Sequence, residues 1–240
     1  MTSVALLVAL PGEARSLTNA RIESGRFLQL NEKTWLCQTG VGPQNASRAA
    51  EGLLQHNCGA LISWGCAAAI APDLKPGDLI LPEFVIDASG TRFPVDPAWH
   101  QRLVQHLRSD FDLSTGPITE SLNLVQSARE KQALHARTRA TALDMESAAL
   151  ARFAAHRQLP FVTIRAIADP HKMDLPKPVA AAVDGQGEIR LSRLLIELAR
   201  HPGSLPELIR LGVYFRSAQR ELSRCARALQ FDFFLKASQA

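Results

Sequence analysis

Three carboxylates stand where an open α/β sheet presents ligands, just beyond the carboxyl ends of its strands. Glu13 closely follows the apolar run Val4 to Leu10 (VALLVAL). Asp169 directly follows the β-branched run Pro160 to Ala168 (PFVTIRAIA), and Pro170 after it favours an extended backbone. The apolar neighbours Ile164, Ala166, Ile167 and Ala168 should raise the pKa of Asp169 so that it keeps a proton near neutrality, the condition for a general acid. Glu146 stands in ALDMESAALA, where an Ala-rich helix opens straight after a short strand. Asp144 suits the N-cap there, and Glu146 the first turn, where the helix dipole favours an anion. A carboxylate at that junction can also grip a vicinal diol, with Met145 against the sugar, although core filling is the commoner role of Met. Position alone leaves each acid a second use, as a helix cap or an arginine partner.

Two Gly-rich segments read as turns beside these acids: Thr39 to Asn45 (TGVGPQN) and Trp64 to Ala69 (WGCAAA). Gly40 and Gly42, followed by a helix, can bring backbone N–H groups to a phosphate or a sugar. A dinucleotide fingerprint needs a third Gly, but Asn45 holds that place and the turn does not follow the first strand, which argues against a nicotinamide oxidoreductase.

The elements that must position these residues follow from the apolar runs. Val4 to Leu10, Trp35 to Thr39 and Ala60 to Trp64 are short buried strands, and Asn45 to His56 is a helix between the last two, giving a βαβ unit. Asp78 to Phe84 reads as another strand, and Pro97 to Leu107, Ser127 to Ala136 and Glu146 to His156 read as helices. Pro160 to Ala168 should be a central strand. The alternation predicts an α/β fold with a mixed, largely parallel sheet. A polar stretch rich in Pro and Gly, Pro170 to Gly187, ends this core, and an Arg-rich helical segment begins at Glu188. The expected organisation is a core at 1–187 and a basic helical extension at 188–240 packed on the same domain.

Composition limits the classes further. At 240 residues and 46% hydrophobic content the chain can bury one substantial core. Met1 to Leu10 lacks a basic leader and ends at Pro11, so no secretory signal is expected, and no apolar window is long enough to span a bilayer. Cys37, Cys58, Cys66 and Cys225 show neither a C-x-x-C spacing nor a nearby His cluster, so reduced thiols in a cytoplasm fit better than zinc or disulfides. Residues 190–240 hold nine Lys and Arg against four Asp and Glu, which leaves 1–189 close to neutral. The basic balance therefore belongs to the tail and does not indicate a nucleic-acid-binding body.

Taken in order, VALPGEARSL, TGVGPQNA, WGCAAAIAPDLKPGDLILP, ALDMESAALA and TIRAIAD resemble the purine nucleoside phosphorylase and uridine phosphorylase superfamily, closest to its methylthioadenosine/S-adenosylhomocysteine nucleosidases. The resemblance implies a three-layer α/β/α sandwich that cleaves the N-glycosidic bond of a purine nucleoside. It places Glu13 at the carboxylate that activates water, Asp169 at the acid that protonates the base, and Glu146 with Met145 at the ribose. It also places Cys66, Ala67 and Leu124 against the substrate. Water or phosphate as the nucleophile stays open, since Gly12 and Arg15 are similar to, but not spaced as, a phosphate-binding pair. No metal or cofactor is implied, and the relatives' habit implies a homo-oligomer. The chain departs from the family at Cys66, where Ser or Thr is usual, at Ala168, where a Ser commonly steadies the acid, and near Asn123 and Leu124, where an aromatic residue is absent. Ordinary methylthioadenosine is therefore not the expected substrate.

The extension resembles the hopanoid-associated phosphorylase branch, which implies release of adenine from adenosylhopane, a lipid with an adenosine head. Leu211, Phe215, Ala218, Leu222, Cys225 and Leu229 recur at helical spacing beside Arg216, Arg220, Arg224 and Arg227, with Phe231, Phe233 and Phe234 beyond. Such a helix suits peripheral contact at the inner face of a membrane, or simple packing on its own body. A soluble nucleosidase for a small adenosine derivative and a non-catalytic lipid or partner adaptor are the alternatives.

Overall fold

A computed structural model describes residues 3–182 and 191–230. The chain opens with β1 (Ser3–Val8), buried over nearly its whole length, and Pro11 at once begins the single turn α1 (Pro11–Ala14), since its fixed φ suits a first helical position. A hairpin of β2 (Phe27–Asn31) and β3 (Thr34–Gln38) follows, with β3 parallel to β1. Sequence reading misses β2, a partly exposed edge strand without an apolar run. Then α2 (Pro43–Gly52) buries Ala46, Ala49 and Ala50 and leads to β4 (Cys58–Ala69).

The turn expected at Trp64 to Ala69 is not there: β4 runs straight through it for 12 residues. Gly65 serves to leave room, not to turn the chain. A Cβ at this position would run into Oε1 of Glu13 and stand 2.8 Å from Nη1 of Arg165. The expected single strand from Asp78 to Phe84 is also corrected, to β5 (Leu79–Ile80) and β6 (Phe84–Ile86), because Pro82 between them has no N–H for a ladder.

Next, β7 (Arg92–Pro94) folds back on β6, and α3 (Pro97–Leu107) is capped by Asp96, whose carboxylate accepts the Trp99 N–H at 2.7 Å. After β8 (Leu113–Ser114) and β9 (Ile118–Glu120), α4 (Ala128–Thr138) starts from a reciprocal cap. Ser127 Oγ accepts the Glu130 N–H at 3.2 Å, and Glu130 Oε2 accepts the Ser127 N–H at 3.1 Å. The core is completed by β10 (Ala142–Asp144), α5 (Ser147–Arg157) and β11 (Phe161–Asp169). Then α6 (Lys177–Ala182) occupies part of the stretch expected to be irregular, and α7 (Leu191–Arg200) and α8 (Leu205–Leu229) follow.

Every branch of the sheet meets at β4. Its first half pairs in parallel with β1, its residues 61–68 pair in parallel with β11, and its last two residues pair antiparallel with β10. Beyond β1 lie β3 and β2, beyond β10 lie β9, β6 and β7, and beyond β11 lie β5 and β8. Helices cover both sides: α2 packs on α5, while α8 packs on β11 next to α1 and α3. This is the expected α/β sandwich around a mixed, largely parallel sheet, with a further C-terminal helix.

The stripe expected to make α8 a membrane or lipid contact is largely used elsewhere. Ala218, Leu222, Cys225 and Leu229 are buried in the main core and Phe215 packs against it. Apolar residues at helical spacing fit any apolar surface, and β11 provides one within the same molecule. Phe231, Phe233 and Phe234 lie outside the described residues.

Candidate active site

The ends of β1, β3, β10 and β11 bring the predicted acids together. Glu13 sits in the turn of α1, and this tight turn folds its carboxylate back over the end of β1. Its Oε2 accepts the Ala9 and Leu10 N–H groups at 2.8 and 2.9 Å, and its Oε1 accepts the Cys66 N–H from β4 at 2.7 Å. The side chain is buried, and burial raises its pKa against the opposing pull of Arg165 and of these three amides. A carboxylate held this way is a stronger base than one in water.

Beneath it lies a residue that sequence reading passed over. Arg165, in the middle of β11, is only 2% exposed and faces three carboxylates, those of Asp144, Glu13 and Glu146. Its Nε donates to Asp144 Oδ2 at 2.7 Å, and its Nη2 donates to Ser63 Oγ at 2.7 Å and Ser147 Oγ at 3.0 Å. Asp144 is thus this arginine's partner, with Ser147 also bonded to its carboxylate. The N-cap position expected of Asp144 falls to Glu146, whose side chain does not cap, but the Asp144 carboxylate still accepts the first N–H of α5, that of Ser147, at 3.2 Å. An arginine buried in a sheet must be neutralised, and Asp144 meets that demand through Oδ2 while Oδ1 serves the helix start.

Glu146 is buried at the β10–α5 junction and reaches across to the turn after β3. There Gly42, at φ +96, donates its N–H to Glu146 Oε1 at 2.7 Å. The Gly-rich turn expected to offer its N–H groups to a ligand therefore gives this one to a carboxylate. Burial, followed by the nearby Asp144, pushes the Glu146 carboxyl up to about 8, against Arg165 and the Gly42 amide. Beside it, Met145 is half-buried.

Asp169 ends β11 next to Ala68 of β4, which on its other side pairs with Leu143 of β10. It is not steadied by apolar neighbours alone. Lys131 of α4, 0% exposed, donates to Asp169 Oδ1 at 2.7 Å. Burial still raises the Asp169 carboxyl above its ordinary range, with Lys131 pulling it down. Cys66 and Ala67 lie on β4 between the Glu13 and Asp169 attachments, and burial pushes the Cys66 thiol well up, which favours its protonated form. Leu124 is half-buried in the loop between β9 and α4. Among the described residues no cluster of His, Cys, Asp and Glu is placed to hold a metal ion.

No curated protein sequence matches the chain. The chain is similar in structure to futalosine hydrolase of Helicobacter pylori strain 26695, with a TM-score of 0.71 at 14% identity, covering 96% of this chain and 98% of that one. It is similar to the 5′-methylthioadenosine/S-adenosylhomocysteine nucleosidase of Neisseria meningitidis in complex with methylthio-immucillin-A, with a TM-score of 0.70 at 19% identity over 95% and 98% of the two chains. The S-adenosylhomocysteine nucleosidase of Streptococcus pyogenes in complex with 5-methylthiotubericidin gives 0.71 at 17% identity over 100% and 98%. The sequence profile of the phosphorylase superfamily matches residues 3–200. A match over so much of the chain settles its lineage: the protein belongs to the phosphorylase superfamily.

Proposed function

We propose that this protein hydrolyses the N-glycosidic bond of a purine nucleoside. One observation carries the reading: two carboxyls of raised pKa, the buried Glu13 and the partly buried Asp169, are anchored to the same short stretch of β4. As the bond from ribose to base breaks, its electron pair goes to the base and positive charge builds on the sugar. Asp169 gives a proton to the base, Glu13 takes one from the attacking water, and the oxygen of that water ends on the anomeric carbon. Glu146 binds the ribose hydroxyls with Met145 packed beside them, and Cys66, Ala67 and Leu124 line the substrate.

Water is favoured over phosphate because the cation among these acids is already engaged. Arg165 donates to Asp144, Ser63 and Ser147 and faces Glu13 and Glu146, which leaves it no free donor edge for an anionic nucleophile. Arg15, the residue considered for phosphate, lines a separate cleft with Arg216 and Arg220 of α8. Adenine release from an adenosine derivative is therefore expected in phosphate-free buffer at an undiminished rate. An absolute requirement for phosphate would convert the reading to phosphorolysis.

Within this reading the substrate is an adenosine-headed lipid of the adenosylhopane type, met by a cytoplasmic homo-oligomer at the inner membrane face. Support comes from the first half of α8, where Leu205, Ile209 and Val213 recur every four residues at 45%, 59% and 56% exposure, with Arg210, Arg216 and Arg220 exposed nearby. Apolar side chains flanked by arginines suit an anionic lipid surface. Replacing Leu205, Ile209 and Val213 together by Ser should abolish sedimentation with anionic vesicles and slow cleavage of the lipid-linked substrate, while a soluble adenosine analogue is cleaved as before. Unchanged vesicle binding would remove the membrane and leave a soluble nucleosidase.

A further inference from the structure

Lys131 is the unexplained charge of this fold. It lies on α4, whose sequence AREKQALHART is mostly polar, yet its side chain is wholly buried. An ammonium group has three protons to donate, and all three find acceptors: Asp169 Oδ1 at 2.7 Å, the Pro170 carbonyl at 3.0 Å and the Met173 carbonyl at 2.8 Å. A salt bridge so enclosed contributes little net stability, because desolvating both charges offsets their attraction. Its geometry is the more informative property. Lys131 clamps one carboxylate oxygen and the two carbonyls that begin the next loop, so Asp169 can neither rotate nor recede with that loop. No other hydrogen bond to the Asp169 side chain occurs among the described residues, and Ala168 beside it has no side-chain donor.

We propose that Lys131 is the positioning residue for Asp169, fixing Oδ1 so that Oδ2 carries the proton to the departing base, and counterbalancing the carboxylate that this transfer leaves behind. The inference rests on Asp169 being the acid of the proposed hydrolysis. Before transfer the pair is a neutral carboxylic acid beside an ammonium. As the bond to the base breaks, the Oδ2 proton moves to a base nitrogen, the electrons of the O–H bond stay on Asp169, and the new negative charge forms 2.7 Å from a fixed positive one. The interaction is therefore stronger after proton transfer than before it, which is the condition for lowering the barrier. Water bound by Glu13 supplies hydroxide to the sugar, and its remaining proton restores the acid for the next turnover. The other charges around the pair are Asp174, which raises the Asp169 pKa, and, around the neighbouring His171, those of Lys172, Asp73 and His135.

Lys131→Met and Lys131→Arg separate this role from a structural one. A general acid must be protonated, so kcat/KM falls as pH rises through the pKa of Asp169. Removing the cation raises that pKa, and the alkaline limb of the profile for Lys131→Met should move up by about one pH unit or more while the plateau drops roughly ten- to a hundredfold. Lys131→Arg keeps the charge, so its limb should stay near the wild-type position. A uniform loss at every pH with the limb unmoved overturns the proposal, whereas an Asp169→Asn enzyme of undiminished activity overturns the parent reading instead. Should Lys131→Met fail to fold, lysine-labelled wild-type protein supplies the readout by nitrogen NMR. One ammonium resonance should shift across the pH range in which kcat/KM falls, and a lysine spectrum indifferent to that range would also overturn the proposal.

Discussion

Asp169→Asn should lower kcat for base release by on the order of a hundredfold or more while leaving the folded structure in place. The amide has the size of the acid and can still accept the Lys131 ammonium through its oxygen, so the clamp at the end of β11 survives. It cannot give up a proton to a leaving purine, and the base must then depart as an anion. Steady-state kinetics on adenosine derivatives, with circular dichroism and thermal melting as controls, measure the outcome. A well-folded variant that retained most of its kcat would take Asp169 out of the chemistry and return it to a structural ion pair.

Arg165→Met should be the most destabilising single change in the site, by about 3–5 kcal/mol, the usual cost of removing one partner from a buried ionic network. The methionine fills much of the volume but leaves Asp144 without its cation and removes the pull that lowers the pKa values of Glu13 and Glu146. The sign of the pH dependence follows. Both carboxyls are already raised in the folded protein, so ionising them works against folding, and more so without Arg165. The deficit should therefore be smallest in acid, where they are protonated, and grow as pH rises through their raised pKa values. Urea denaturation at several pH values tests this. A deficit of less than about 1 kcal/mol, or one independent of pH, would mean that the carboxylates do not depend on this arginine.

These two residues also mark how far the sequence can be read. Glu13, Glu146 and Asp169 were legible because acids just after apolar runs are conspicuous, and the strands holding them were legible for the same reason. Arg165 left a signal that was available: a charge inside the otherwise apolar PFVTIRAIA must be buried, and a buried charge must have partners. Lys131 left none, because one lysine among the charges of AREKQALHART looks like any solvated residue. Only its bonds to Asp169 and to the Pro170 and Met173 carbonyls distinguish it. The strand through Trp64 to Ala69 was misread because glycine marks turns far more often than it marks a neighbour's approach from another element. The α8 stripe was placed by its period, which fixes an apolar face but not what covers it.

That strand also acts as a ruler. Glu13 is bonded at Cys66 and Asp169 lies beside Ala68, so in the proposed reaction the water end and the base end would be graduations on one extended segment. The two marks are about 7 Å apart at the rise of an extended strand, and no loop motion can lengthen the interval. On the proposed reading this ruler would measure only the sugar carbon and the base, a span that every purine nucleoside shares, so discrimination among 5′ substituents would have to come from residues off β4.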